Sequence, residues 1–359
     1  MSPVPSSADA DSPDGVLVDG DPQDDSRRAS TIRDVALLAG VSKSTASRAL
    51  LGQPGVSRKN LEKVRQAVQQ LDFVPNQIAR SLSAPSTAML GLFLRNSEYP
   101  FYGHLAKGFT GEAGTRGYEV LTVSSFDQAD EANYRSLMVL AGLRAAGIVV
   151  ASPVVDPLTI RRIASQVPLV LVGQMGQASN PDVPFVAPDP DDGVVLIEHV
   201  TALGHTSVAL TAVPPEQSPT QWVRIERMRS HLEARGIRHR LVIVEPDTNL
   251  MDVLSGLHQE SVTAVLCNND FIALDVLAAA ANLGLSVPGD LSVAGFDGLP
   301  PLDHEALGLT TFRVPTAGLA TAAVDLVHKL IQGDELESRE VFVPGDLLVS
   351  RTTGPAPAH

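Results

Sequence analysis

Within the six residues Lys43 to Arg48, two cations and three hydroxyl side chains are packed around a single alanine. An arginine such as Arg48 can donate two parallel hydrogen bonds to a guanine edge, and Lys43 can donate to guanine or to phosphate. Ser44 and Ser47 are the short polar neighbours that reach base edges beside them. The hydroxyls of Thr45 and Ser57, with Arg33 and Arg58, suit phosphate oxygens, which fix register without reading sequence. That is the chemistry of a double-stranded DNA reader rather than of a catalyst. His104, His199 and His205 have no carboxylate partner at a fixed spacing, and no Cys/His cluster has metal-site spacing. No P-loop, nucleophile elbow or Gly-rich phosphate fingerprint is present either. The chain is therefore expected to need no cofactor and to be no enzyme.

These residues need a helix start to aim them, and the sequence supplies one. Thr31 caps a first helix, with Asp34 at capping-box spacing, and Gly40 ends it. Ser42 caps a second helix that begins at Lys43 and runs through Leu50. Two helices joined by about four residues with a Gly in the turn are a helix-turn-helix, whose second helix enters the major groove N-terminus first. Ser57 caps a third helix with Leu61, Val64, Val68 and Leu71 at helical spacing. Val35, Ala36, Ala39, Val41, Ala46, Leu50, Leu61, Val64 and Leu71 complete one small core. A three-helix structural module with a solvated basic face has the same pattern.

Charge is divided to match. The 359 residues carry a net charge of −14, yet residues 27–86 hold ten Lys or Arg against three acids. Residues 1–26 hold seven Asp and no base, and the remaining 273 hold 17 bases and 31 acids. A basic head on an acidic body suits local phosphate neutralisation. Residues 1–30, rich in Ser, Asp, Pro and Gly, read as a disordered tail. The single Cys267 sits in an apolar run and fits a reducing cytoplasm. No signal region or membrane span is expected.

From residue 88 the pattern changes to short apolar runs alternating with amphipathic helices. The runs are 89–94, 118–125, 146–151, 168–174, 207–213, 240–244, 264–268 and 291–296. The helical stretches include 102–116, 129–142, 191–203, 220–235 and 271–283. Alternation of this kind makes parallel sheets with helices on both faces.

The segments TIRDVALLAGVSKSTASR (31–48) and FVPNQIARSL (73–82) resemble the lactose/galactose repressor family. So do YPFYGHLAKGF (99–109), AAGIVVASP (145–153), IEHVTALGHTSVAL (197–210), VLCNNDFIAL (265–274), VPGDLSVAGFD (287–297), LGLTTFRVP (307–315) and LLVSRTTG (347–354). The resemblance covers nearly the whole chain. It implies an N-terminal all-α helix-turn-helix domain (31–75) with a hinge helix and linker (76–87). An α/β periplasmic-binding-protein-like two-lobe effector domain (88–355) follows. The first lobe is expected at about 88–187 and 316–340, the second at about 189–314 and 341–355. Asn76 would open the hinge, Ile78 would pair with a second copy, and Leu82, beside Ala79, would wedge into the minor groove. An apolar wedge of this kind kinks the duplex. The implied partners are a near-palindromic operator, a sugar-like effector and a second copy of the chain. The chain ends in GPAPAH without heptads, so a dimer is expected rather than a tetramer.

In open α/β sheets ligands sit at the carboxyl ends of the strands. Arg95, Asn96, Phe101, Tyr102 and Ser124 lie at such ends in the first lobe. Thr220, Trp222 and Arg224 lie in the segment that carries the family's ligand-binding arginine, which matches Arg224. Asn269 and Asp297 match its polar residues after two strands. Planar polar groups would bond sugar hydroxyls while an aromatic face covers the ring. Each has a plainer reading: Asp297 as a turn cap, Asn269 as a helix cap, Phe101 as core, Arg224 in a surface ion network with Glu226 and Arg227. The leading function is a ligand-controlled repressor. A solute-binding protein and a sugar-acting enzyme are the alternatives.

Overall fold

The structure, a computed structural model, describes residues 30–50, 54–71, 73, 89–95, 99–124, 130–151, 155–173 and 182–358. The chain divides into two compact units, Met1–Ser83 and Ala84–His359. The tail 1–29 and the expected hinge 76–87, with Asn76, Ile78, Ala79 and Leu82, lie outside the described residues, as does Asn96.

The first unit contains α1 (Ile32–Ala39), α2 (Lys43–Leu50) and α3 (Arg58–Gln70). The Thr31–Asp34 capping box is formed in both directions, and Gly40 closes α1 at φ 63°. The Ser42 hydroxyl accepts from the Thr45 amide at 3.0 Å, and Ser57 accepts from the Asn60 amide at 3.3 Å. Val35, Ala36, Ala39, Ala46, Ala49, Val64 and Ala67 form the buried centre, with Val41, Leu50, Leu61 and Leu71 half-buried around it. Alanines dominate that centre, so the three helices approach closely.

The second unit holds two six-stranded sheets of matching topology. The first contains β1 (Met89–Leu94), β2 (Glu119–Ser124), β3 (Gly147–Ala151), β4 (Leu169–Val172), β5 (Phe185–Pro188) and β11 (Glu340–Val343). Their order is β11-β5-β4-β3-β1-β2, and every pairing is parallel. The second contains β6 (Ser207–Ala212), β7 (Arg238–Ile243), β8 (Ala264–Leu266), β9 (Ser292–Asp297), β10 (Thr310–Arg313) and β12 (Asp346–Leu348). Their order is β12-β10-β9-β8-β6-β7, with β12 antiparallel to β10. Central parallel strands are covered on both faces, which is why GIVVA, LVLV and SVALTA are buried at every position.

Helices α4 (Pro100–Thr115), α5 (Asp130–Gly142) and α6 (Pro157–Ala164) join strands of the first sheet. Helices α7 (Asp192–Ala202), α8 (Pro219–Ala234), α9 (Leu250–Gln259) and α10 (Asp270–Asn282) belong to the second. After β10 the chain returns to the first lobe as α11 (Thr316–Gln332). The approach of α11 to α4 depends on Gly108, where an added Cβ would sit 3.0 Å from the Ala320 Cβ. Tyr118 Oη and His328 Nδ1, 2.9 Å apart, tie α11 to the first lobe beside β2.

The chain therefore passes between lobes after β5, after β10 and after β11. The last passage differs from expectation. Residues 341–343 were expected in the second lobe, but Glu340–Val343 runs in register with Phe185–Pro188 of the first sheet. The crossing falls at residues 344–345 instead. Strands β5, β10, β11 and β12 had no counterpart among the expected apolar runs, because each is interrupted by a proline or by polar or charged residues, as FVAP, TTFR, EVFV and DLL show.

Gly147 at the start of β3 packs under α11, where an added Cβ would lie 2.5 Å from Val327 and 3.1 Å from Ile331. Overpacking of this kind costs about 1–3 kcal/mol. Gly111, inside α4, has open space around it. Gly147→Ala should lower the urea midpoint of the protein, whereas Gly111→Ala should hold or raise it by the helix preference for Ala, about 0.5–1 kcal/mol. Equal midpoints for the two variants would contradict this packing.

Candidate nucleic-acid interface and ligand cleft

In α2, Ala46 and Ala49 face the core while Lys43, Ser44 and Arg48 are exposed and Ser47 is half-buried. The buried pair leaves the N-terminal turn and Arg48 on the open side, the geometry a recognition helix needs. Arg33, at the start of α1, and Arg58, at the start of α3, are exposed as well. Several hydroxyls have a structural task already. Thr31, Ser42 and Ser57 cap helices, and Thr45 Oγ1 lies 2.8 Å from Ser42 Oγ.

In the second unit the carboxyl ends of the two sheets meet around a cavity of about 110 Å³. The first lobe contributes Arg95 from the end of β1, Phe101 and Tyr102 from the first turn of α4, and Val172, Gly173 and Pro188. The second contributes Ser218, Thr220, Gln221 and Arg224 from α8 and its entry, Phe296 and Asp297 from the end of β9, and Val314. The structure thus brings together six of the expected residues: Arg95, Phe101, Tyr102, Thr220, Arg224 and Asp297.

Arg224 is 9% exposed, and its guanidinium carbon lies 3.4 Å from the centroid of the Phe296 ring. Its Nη2 donates to the Asn268 carbonyl at 2.9 Å. Burial draws its pKa down to about 10, against the pull of Asp297 and Asp192, so it stays charged at neutral pH. The surface ion network is made by its neighbours instead: Arg229 with Glu226 at 2.9 Å and Arg227 with Asp191 at 3.7 Å.

Asp297 is half-buried in the cavity wall with φ at 113°, a left-handed conformation costly for a residue with a Cβ. Burial first, then the nearby Asp270, push its pKa up to about 8, and Arg224 opposes both. The turn-capping role falls to Asp270, whose Oδ2 accepts from the Gly298 amide at 2.8 Å and Oδ1 from Thr311 at 2.5 Å. Arg95 reaches from the first lobe to the Gln217 carbonyl of the second. The Tyr102 hydroxyl is raised by burial and lowered in part by Arg95.

Three expected residues are elsewhere. Trp222 donates its indole N–H to the Val213 carbonyl at 2.8 Å and lines a separate open depression with Pro215, Pro219 and Arg227. On α8 it lies two residues from Arg224, about 200° around the helix, so the two cannot face one cavity. Asn269 is spent as a helix cap, its Oδ1 accepting from Ile272 at 2.9 Å. Ser124 has a buried hydroxyl without a partner and is not among the cavity walls. The cavity wall also holds residues that were not expected there, among them Ser218, Gln221 and Phe296. Gln221 bonds Asn268 Nδ2 at 3.2 Å, and Asn268 in turn accepts from Thr211 at 2.7 Å. Phe296 was read only as a strand residue, though its place beside Asp297 at a strand end was a usable signal.

A helix-turn-helix head followed by two α/β lobes around a polar cleft defines a DNA-binding regulator with a ligand-binding domain. Residues 31–76 match the model of bacterial regulatory proteins of the lacI family, and residues 197–353 match a periplasmic binding protein-like domain. The HTH-type transcriptional regulator MalR of Streptomyces coelicolor is 33% identical over 91% of this chain and 98% of its own length. The regulator reg1 of Streptomyces lividans is 32% identical over 91% of this chain and 98% of its own. The lac repressor dimer bound to operator and the anti-inducer ONPF superposes with a TM-score of 0.76 at 25% identity, covering 91% of this chain and all of that one. The chain belongs to the lacI family of transcriptional regulators.

The raised pKa of Asp297 has a measurable consequence. The folded protein keeps this proton to about pH 8, while the unfolded chain loses it near 3.8, so stability from this group is full at low pH and declines as pH rises to 8. Asp192 and Asp270 act in the same sense but finish near pH 6. His199 and His205, lowered by burial, act oppositely and only below about 6.5. Between pH 6 and 8, Asp297→Asn should therefore lose less stability than the wild type in urea titrations. Parallel curves over that window would show that Asp297 is ionised in the fold.

Proposed function

We propose that this regulator acts as a homodimer on a near-palindromic operator, as a repressor, and that a small polar molecule in the cleft sets its operator affinity. The observation that carries the reading is the exposed face of α2, with Lys43, Ser44 and Arg48 opposite the buried Ala46 and Ala49. Lys43 and Arg48 read bases, with Ser44 and Ser47, while Arg33, Arg58, Thr45 and the capping residues Thr31, Ser42 and Ser57 hold phosphate. The family resemblance assigns Asn76, Ala79 and Leu82 to the minor groove and Ile78 to pairing. The transcriptional regulator CelR, solved as a cellobiose complex, has a TM-score of 0.64 to this chain at 23% identity, which concerns the fold. The ribose operon repressor of Halalkalibacterium halodurans, 27% identical over 90% of this chain, supports a sugar-like effector by its name.

Binding rather than turnover is the reading that these groups support. The Cys267 thiol is buried and its pKa is raised. His205 is engaged on both ring nitrogens by Thr263, Ser292 and the Gly354 carbonyl, and His199 bonds Thr353. None of these lies in the cavity wall. A DNA partner and a thiol kept reduced suit the cytoplasm, and among the described residues no helix is long and apolar enough to cross a membrane.

The test is selection of bound genomic fragments, followed by anisotropy titration of a labelled fragment. Arg48→Ala should cost about 1–3 kcal/mol and relax preference at one base pair per half-site. Arg58→Ala should weaken all sequences alike and reduce the salt slope by about one. Uniform loss from both variants would remove the division of roles, and binding that ignores salt would remove the phosphate-anchored interface altogether.

A further inference from the structure

Two cations face the cavity, and neither is neutralised there. Arg95 spends donors on the neutral Gln217 carbonyl and the Tyr102 hydroxyl. Arg224, nine-tenths buried, spends one on the Asn268 carbonyl and lies over an aromatic face. Among the described residues the ion pairs of α8 are made by Arg227, Arg229 and His231, all outside the cavity wall. The acid that shares the cavity is Asp297, whose raised pKa leaves it holding a proton at neutral pH. The other acid that acts on Arg224 is Asp192, which bonds the Gly345 amide at 3.3 Å and does not line the cavity.

Two helix ends add to this. Helices α4 and α8, 16 residues each, both start at the cavity, which Phe101 and Tyr102 of one first turn and Thr220 and Gln221 of the other line. Both open on a proline, and neither has a side-chain cap. The neighbouring α10, by contrast, is capped by Asn269. A helix N-terminus carries about half a positive charge and free N–H groups, and an anion is the natural complement. Two guanidinium groups and two uncapped N-termini face one protonated carboxyl; Asp192, ionised above about pH 6 and outside the cavity wall, offsets Arg224, so the surplus of positive charge lies on the Arg95 side. A neutral sugar would not compensate it.

We propose that the cleft takes a small anionic ligand, a polyhydroxy compound carrying a carboxylate or a phosphate. Arg95 meets the charged group, and Asp297 and Gln221 meet hydroxyls. The inference rests on the reading of this cleft as the effector site, and it names the class of effector. At about 110 Å³ the cavity is small beside the roughly 300 Å³ at which drug-sized ligand pockets begin, which favours a compact ligand over an oligosaccharide.

Calorimetry on the full chain, at fixed ionic strength, would compare gluconate, glucuronate and glucose 6-phosphate with uncharged glucose. At least one anion should bind tenfold or more tightly than glucose, and the pattern separates carboxylate from phosphate. Arg95→Gln should weaken that anion at least tenfold and by a clearly larger factor than it weakens glucose, while Arg95→Lys should recover part of the loss. The inference is overturned if glucose binds as tightly as every anion, if no anion binds at millimolar concentration, or if Arg95→Gln weakens glucose and anion alike. Operator anisotropy on the same samples separates the two levels. An anion that binds without changing operator affinity would sink the effector reading and leave the anion site. A neutral sugar that changes operator affinity while the anions do not bind would do the reverse.

Discussion

The body of this protein depends on a cation held out of water at the mouth of two sheets. Removing a guanidinium from solvent costs several kcal/mol. The compensation on Arg224 is a ring face, one carbonyl and the nearby charge of Asp192, ionised above about pH 6. A desolvated cation–π contact contributes roughly 2 kcal/mol and a charged hydrogen bond roughly 1.5–3. Together these are comparable with the penalty, and the nearby Asp297 remains protonated rather than supplying a full counter-charge. The cleft is thus stable enough to exist and incompletely satisfied, which is the condition for binding something. The strained φ of Asp297 belongs to the same account, since it lies in the wall of the site, next to Phe296.

Each lobe that carries these groups has a core cluster of its own, and a third cluster of buried residues continues from one lobe into the other. Three passages between them are bonded to each other and to the lobes: the Asp189 amide donates to the Val343 carbonyl at 3.2 Å, and the Gly345 amide donates to Asp192 at 3.3 Å. Val314, which follows β10, donates to the Asp297 carbonyl at 2.9 Å, so the second passage begins at a residue of the cavity wall. Across the cleft the lobes meet through few contacts, among them Arg95 with Gln217, His104 with the Pro300 carbonyl at 3.2 Å, and Tyr99 edge-on to Phe271 at 6.3 Å. Such contacts exchange at small cost. A ligand that prefers one arrangement of them needs only a difference in affinity between two states to act at a distance.

Much of this was legible in the sequence because it rests on local rules. The capping box at Thr31–Asp34, the left-handed Gly40 and the caps at Ser42 and Ser57 follow from short-range hydrogen bonding, and all are formed. Buried parallel strands read as continuous apolar runs, which identified the sheet centres. What failed to read was set by tertiary context. Short strands such as Phe185–Pro188 and Thr310–Arg313 owe their place to neighbours rather than to their own composition. Asn269 and Trp222 have the right residue types at the right segment, yet one caps a helix and the other turns to a different face. Residue type and strand end selected the neighbourhood. Side-chain direction decided the rest.

Under the proposed function the cleft and the DNA-reading head are two ends of one equilibrium. Linkage makes this reciprocal: whatever factor a ligand imposes on operator affinity, the operator imposes on ligand affinity. The most direct measurement is therefore the affinity of a cleft ligand for the free protein and for the protein saturated with its selected operator fragment. A change in the range of about 5–150-fold is the result this account predicts. Identical affinities in the two states, with the cleft occupied in both, would contradict it.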